Sequence, residues 1–303
     1  MDYKRIIKSK AIRQKILRCL SWIPDKTMIK IQYRMKTGKK LDLKKPLRYT
    51  EKLQWYKLYY RDELMTKCVD KYDVRKYIEE LGYGDLLLKC YGVYSSSNEI
   101  NFDDLPNAFV IKDTLGGGGD SVIICRDKAS LNIDETKKNI DKWIRTSKVK
   151  NGGREWPYYS GKKSRIIIEE YIETSEIHGL IDYKFFCFNG KFKYMYLISD
   201  RKVGVNAKLA IYDLNLNKLS AKRTDELWME RDIKLPDNID KMIDISNKIS
   251  AAFPHARIDL YNVNGRIIFG EITFFDGSGY MRYDPDEFDF IMGNEFVLPS
   301  NKK

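Results

Sequence analysis

The stretch Arg257-Ile-Asp-Leu-Tyr-Asn-Val-Asn-Gly-Arg-Ile-Ile-Phe-Gly-Glu-Ile-Thr-Phe274 decides how the chain is read: two runs of β-formers meet at Asn264-Gly265, and each carries an acid, Asp259 and Glu271. Asn-Gly between such runs signals a hairpin. Side chains alternate between faces along a strand, so loop length decides whether the acids meet. A two-residue loop sets Asp259 and Glu271 on opposite faces. A three-residue loop, Val263 to Gly265 with Gly265 left-handed, sets them together, and this second geometry is the expectation. Arg257 and Thr273 then share the face, so a guanidinium, two carboxylates and a hydroxyl converge. Such a cluster is costly to bury without a counter-ion, and hard oxygens that leave room for water and phosphate are what Mg²⁺ requires. Alone, the segment also fits a solvated hairpin face with a salt bridge.

With 303 residues and 43% hydrophobic content, the chain suits one large domain or two to three small ones with a substantial core. It contains no run of 18 apolar residues and no N-terminal signal core, so a cytoplasmic protein is expected. Five cysteines, Cys19, Cys68, Cys90, Cys125 and Cys187, are scattered without a C-x-x-C pair, as reduced packed thiols would be. His178 and His255 are the only histidines, and neither has a partner at metal spacing. Of the net charge of +12, residues 1–40 hold +11, with thirteen Lys/Arg against two Asp. Ile6, Ile7, Ile12, Ile16, Leu17 and Leu20 interleave there with Lys4, Arg5, Lys8, Lys10, Arg13, Lys15 and Arg18 as a helix with one apolar and one basic face. Two readings stay open: a helix lying on an anionic membrane, or one packed on its own domain with lysines in water. A nucleic-acid partner is not expected, because the rest of the chain has neither a basic stripe nor a base-reading motif.

Residues 1–50 read as a basic helical entry region punctuated by Pro24 and Pro46. Helices are expected over 51–60, with Thr50 as N-cap, over 70–81, ending at Gly82 and Gly84, and over 134–146 and 238–252. Strands are expected around 86–94 and over 107–112, 121–125, 165–172, 183–188 and 192–198, the last two joined by an Asn189-Gly190 turn. Strands and helices mix without βαβ alternation, which predicts an α+β fold with sheets in more than one lobe.

Lys112 ends a strand that runs into Gly116-Gly117-Gly118-Gly119, so exposed backbone N–H groups lie near an ammonium, as phosphate oxygens demand. Neither a Walker ending nor G-x-G-x-x-G before a helix is present, and a plain flexible turn has the same composition. The strand ending Glu169-Glu170-Tyr171-Ile172 offers backbone groups to a flat heterocycle, or is simply a buried strand with acids protecting its edge.

The Lys-strand-Gly loop, the E-E-Y-I hinge and the R-x-D…E-x-T hairpin, in this order, resemble the ATP-grasp superfamily over roughly residues 65–290. The finer resemblance is to its TupA-like branch, found in genes for bacterial cell-wall and capsular polysaccharides. It is carried by 50–59, 66–78, 105–120, 153–156, 166–172, 182–191 and 257–279. The resemblance implies two α+β lobes clamping ATP between antiparallel sheets. It segments the chain into a basic region 1–50, an α/β part 51–106, a lid subdomain 107–172 and a metal-bearing lobe 173–303. It implies Lys71 and Lys112 as ATP-phosphate lysines, Gly116 to Gly119 as the lid loop and Glu169 to Ile172 as the adenine hinge. Asp182 and Lys184 would be further nucleotide contacts, Asp259, Glu271 and Thr273 would hold one or two Mg²⁺ ions, and Arg257 would act with Lys112 on phosphate charge. Two departures stand out: Thr273 occupies a position where many relatives have Asn, and Phe275-Asp-Gly-Ser-Gly279 lacks the prolines of the usual N-P-x-P-G loop.

The activity so implied is an ADP-forming carboxylate–amine ligase. It would join the carboxyl of a uronic acid, in a glycan or sugar-nucleotide precursor, to an amino acid or other amine. The basic segment 1–40 would suit peripheral contact with an anionic membrane. A glycosyltransferase of polysaccharide synthesis and a noncatalytic polyanion-binding protein remain the alternatives.

Overall fold

The computed structural model describes residues 12, 16–17, 19–117, 119, 121–146, 152–174, 179–200 and 207–300. Most of the basic helix expected over 4–20, Gly118 and His178 lie outside these residues. Two compact units emerge, a larger one from 1–62, 151–155 and 174–303 and a smaller one from 63–150 and 156–173. Both are discontinuous in sequence, whereas the boundaries read at 50, 106 and 172 cut the chain into contiguous pieces.

The chain runs through helices α1 (Asp25–Thr37), α2 (Tyr49–Tyr59), α3 (Glu63–Cys68), α4 (Asp73–Glu80), α5 (Ile133–Thr146), α6 (Ile239–Ser250) and α7 (Glu287–Glu295). Its strands in the smaller unit are β1 (Cys90–Tyr94), β2 (Phe109–Asp113), β3 (Val122–Cys125) and β4 (Ile166–Glu170). Those of the larger unit are β5 (Asp182–Phe188), β6 (Lys191–Ser199), β7 (Lys208–Tyr212), β8 (Lys222–Arg223), β9 (Leu227–Trp228), β10 (His255–Val263), β11 (Arg266–Thr273) and β12 (Tyr283–Asp284).

In the smaller unit an antiparallel sheet runs β1-β4-β2-β3. Alternation sends Phe109 and Ile111 of β2 and Ile166 and Ile168 of β4 to one face, where they are buried with Phe102, Leu105, Cys125 and Ile140 of α5. Burying each large apolar side chain stabilises the unit by about 1.5–3 kcal/mol. The same alternation turns Lys112 and Glu169 to the other face. Asp70, expected inside a helix, precedes it: Asp70 Oδ1 accepts the N–H groups of Tyr72 and Asp73 at 2.9 and 3.0 Å, so α4 starts at Asp73.

In the larger unit the sheet order is β11-β10-β5-β6-β7-β9, antiparallel except for the β7–β9 pair. α6 covers one face, burying Met242, Ile245 and Ile249. On the other face Tyr49 of α2 meets Phe186, Phe188 and His255 edge-on. α2 begins at Tyr49 after Arg48, two residues earlier than a Thr50 cap would set it. Thr50 is instead buried and gives both its N–H and its hydroxyl to Asp289 of α7, at 3.0 and 2.7 Å. A tertiary partner has claimed a residue that local rules assign to capping. Strand β7 and helices α3 and α7 have no counterpart in the sequence reading.

Candidate active site

The deciding hairpin has a two-residue loop, not the three-residue loop expected: Val263 pairs with Arg266, and Asn264 and Gly265 are both left-handed at φ 51 and 85°. Asp259 and Glu271 are nevertheless directly opposed, because the register shifts after Asp259 and Gly270 is the extra residue of a β-bulge. Glycine is required there, since a Cβ would lie 2.9 Å from the Asp259 carbonyl oxygen and 3.2 Å from the Tyr261 ring. The bulge restores the alternation that a two-residue loop alone would spoil, and Arg257 pairs with Thr273 on the same face.

Arg257, 7% exposed, is the hub. Its Nε and Nη2 donate to the two oxygens of Asp259, each at 2.7 Å, and its Nη1 donates to Asp276. Nη2 also reaches Thr273 Oγ1 at 3.0 Å and Glu271 Oε1 at 3.3 Å. Lys184, in register with Asp259 across β5 and β10, donates to Asp259 and stands 3.6 Å from Asp182. Burial works against charge on Asp259, but the Arg257 guanidinium and the Lys184 ammonium outweigh it and hold the carboxyl at about 2. Removing one member of such a set leaves a buried uncompensated charge, at a cost of about 3–5 kcal/mol.

His255, two residues before Arg257, has Nδ1 3.0 Å from the Cys187 carbonyl and Nε2 2.9 Å from the Tyr49 hydroxyl. A carbonyl only accepts, so Nδ1 carries the proton and Tyr49 donates to Nε2. Burial lowers its pKa to about 4. The imidazole is therefore a neutral link between β10, β5 and α2.

Asp276 belongs to a turn in which Gly277, Ser278 and Gly279 are all left-handed, with φ of 49, 55 and 67°. Helix α2 holds that turn. Gln54 Nε2 donates to the carbonyls of Ser278 and Gly279 at 3.0 and 2.6 Å, and Lys57 Nζ to those of Ser278 and Gly153 at 2.9 and 2.7 Å. The Ser278 hydroxyl donates to Glu155. Burial lowers the pKa of Lys57 and raises that of Glu155. Arg223 Nη1 reaches Asp276 at 3.4 Å and its Nη2 holds Asp225 at 2.8 Å. Asp276, Arg223, Gln54, Lys57 and Glu155 were not picked out as site residues from sequence. The available signal was an acid within the glycine-rich turn 275–279 and the i,i+3 pair of Gln54 and Lys57.

In the smaller unit Lys71 lies before α4, with its N–H on the Thr114 carbonyl at 2.9 Å and its Nζ on the Gly116 carbonyl. Lys112 donates to Glu169 at 3.0 Å, and Arg75 reaches the same carboxylate at 3.2 Å. Both expected phosphate lysines thus border the start of the glycine run. Strand β4 stops at Glu170, whose N–H is spent on the Lys89 carbonyl at 2.9 Å, so Tyr171 and Ile172 lie beyond the strand expected to contain them. The Arg126 guanidinium sits 5.9 Å from the Tyr171 ring centroid. Asp182 and Lys184 belong to the larger unit, in the sheet that carries Asp259.

The family model of TupA-like ATP-grasp proteins matches residues 51–297. The chain belongs to this family. As an ATP-grasp protein it is similar to solved ligases at low identity. D-alanine–D-alanine ligase from Bacillus anthracis is 20% identical, with 76% of this chain and 67% of that one covered at a TM-score of 0.42. For the enzyme from Helicobacter pylori the values are 15%, 82%, 69% and 0.46. For phosphoribosylamine–glycine ligase from Thermotoga maritima they are 12%, 71%, 49% and 0.44, so the chain spans about half of that protein. No curated protein matches the sequence.

ATP-grasp chemistry implies Mg²⁺, and the donors here suit it in kind. Asp259, Glu271 and Thr273 are hard oxygens on one face, and the Glu271 side chain is 43% exposed. No group of three or more acidic, histidine or cysteine side chains that could hold a metal occurs among the described residues.

Proposed function

We propose that this TupA-like ATP-grasp protein is an ADP-forming ligase that joins the carboxyl of a uronic acid, in a capsular or cell-surface polysaccharide precursor, to an amino acid or another amine. The observation that carries this reading is the buried Arg257, fixed by Asp259 and Asp276, with Nη2 turned to Glu271 and Thr273. In such a reaction a carboxylate oxygen attacks the γ-phosphorus, the bond to the β–γ bridging oxygen breaks, and ADP leaves. The amine nitrogen then attacks the acyl carbon and loses a proton, while phosphate departs with the electrons of the C–O bond.

Arg257 meets the charge that develops on the transferring phosphoryl group. Because its partners fix it beforehand, it needs no reorganisation during the reaction. Lys71, Lys112 and the backbone N–H groups of the glycine run hold phosphate oxygens. The Tyr171–Ile172 backbone takes the adenine edge, and Asp182 and Lys184 hold the electrostatic balance around Asp259. Asp259, Glu271 and the Thr273 hydroxyl would hold Mg²⁺, which would supply charge neutralisation at the phosphates. The choice of a glycan carboxylate rests on the resemblance to the TupA-like branch.

Thermal melting with ATP, with and without Mg²⁺, tests the site before substrates are known. At about 100 times Kd, binding adds roughly 2.7 kcal/mol. A Mg²⁺-dependent rise in Tm that Glu271→Gln abolishes supports the reading; no rise in the wild type overturns it. ADP release that needs both a uronic acid oligosaccharide and an amine then identifies the ligase, whereas sugar transfer without ADP identifies a glycosyltransferase.

A further inference from the structure

The basic N-terminal part of the chain has a described portion, α1, whose two sides differ. Met28, Ile29, Gln32 and Tyr33 face inward, Ile29 and Tyr33 packing with Leu41 and Tyr280. The outward side is not simply charged. Lys26, Lys30 and Arg34 form one exposed i,i+4 stripe, and Thr27, Ile31 and Met35 form the exposed stripe beside it. Ile31 is 44% exposed, Met35 49%, and Trp22, three residues before the helix, 78%. Among the described residues, five of the fourteen exposed large hydrophobic side chains, Ile12, Ile16, Trp22, Ile31 and Met35, fall within residues 12–35, which is a concentration rather than the usual scatter. Asp25 is the only acid between residues 3 and 40, and it is paired inward with Arg154 at 2.9 Å. The outward stripes therefore carry no carboxylate.

We infer that this face of α1, together with Trp22, is a docking surface for an anionic lipid bilayer. Positive charge attracts the headgroups, while the Trp22 indole and the apolar side chains of Ile31 and Met35 enter the boundary between headgroups and acyl chains. Single exposed apolar residues are ordinary on a water-facing surface. What a bilayer boundary uses is Trp22, Ile31 and Met35 set beside a cationic stripe without carboxylates, an arrangement in which a soluble polyanion would engage the charges alone. The inference is independent of the ligase reading, since it uses none of the residues assigned there to nucleotide or metal. No helix of the described residues is long and apolar enough to cross a membrane, so contact through this face is peripheral.

The test is co-sedimentation of the full chain with phosphatidylcholine vesicles, with and without phosphatidylglycerol, over a range of salt. Binding is expected only with phosphatidylglycerol and is expected to weaken as salt rises. The triple variant Lys26→Gln, Lys30→Gln, Arg34→Gln should lower the partition coefficient on the order of a hundredfold. The charge-conserving variant Trp22→Ala, Ile31→Ser, Met35→Ser should lower it about tenfold or more. Unaltered melting temperatures check that both variants fold, as outward positions allow. Equal binding to pure phosphatidylcholine, or wild-type affinity in either variant, overturns the inference; wild-type affinity in the apolar variant would mean adsorption by charge alone.

Discussion

The Arg257 cluster and the Lys71–Lys112 region place their charges in different ways. Around Arg257 two buried carboxylates are met inside the fold: Asp259 is held by a guanidinium and an ammonium, and Asp276 by two guanidinium groups. Around Lys112 the balance is loose. Lys112 and Arg75 share one carboxylate, Glu169, and Lys71 donates to a carbonyl dipole. Lys112 is 26% exposed along its side chain against 9% for Arg257. The first region is a preset electrostatic frame, and the second holds partly exposed cations near a glycine loop. A mutation should therefore act on stability in the first and on ligand affinity in the second.

The sharpest way to break this contrast is Arg257→Met. It leaves Asp259 with Lys184 and Asp276 with Arg223 as their remaining cations, so unfolding free energy should fall by about 3–5 kcal/mol, with activity reduced about a hundred- to a thousandfold. Denaturant melts and ADP release measure both, and a stable, inactive variant would show that the frame is not held by Arg257. Glu271→Gln comes next. Its exposed side chain predicts a stability change under about 1 kcal/mol but loss of about 2.7–4 kcal/mol in transition-state stabilisation, read from kcat. Gly270→Ala probes the bulge itself. Its Cβ must displace the Asp259 carbonyl, which predicts about 1–3 kcal/mol of destabilisation; an unperturbed melt would contradict the need for close approach. In the other region Lys112→Met should change stability by less than about 1 kcal/mol while weakening ATP binding roughly tenfold or more, measurable by titration calorimetry.

Acid tests the larger unit separately. His255 has a folded pKa of about 4 against an ordinary 6.5, so between these values the unfolded chain binds the extra proton. Its contribution is complete above pH 6.5 and is lost as pH falls toward 4, by at most about 1.4 kcal/mol per pH unit. Asp259, held at about 2 against 3.8, adds a further loss only below pH 3.8. Because the chain has only two histidines, imidazole resonances report this directly. One should stay neutral to below pH 5, and a titration of both near 6.5 would refute the buried neutral link.

The sequence alone determined the hairpin and the run of glycines after Lys112, and it grouped Arg257, Asp259, Glu271 and Thr273 only through a three-residue loop that the structure replaces with a two-residue loop and a bulge. These depend on local rules: strand alternation, Asn-Gly turn chemistry and the freedom of glycine. The same rules placed most strands and helices to within a few residues. They misjudged the loop at 263–265, because the compensating bulge at Gly270 is imposed by a backbone approach between two strands. They gave Thr50 a capping role that Asp289 overrides from a distant helix. Only the tertiary structure decided that Asp276 completes the Arg257 frame, that Gln54 and Lys57 hold its turn, and that Ile31 and Met35 face outward while Ile29 and Tyr33 do not. Those outcomes join residues far apart in the chain. Their free energies come from burial and charge pairing, which no local pattern records.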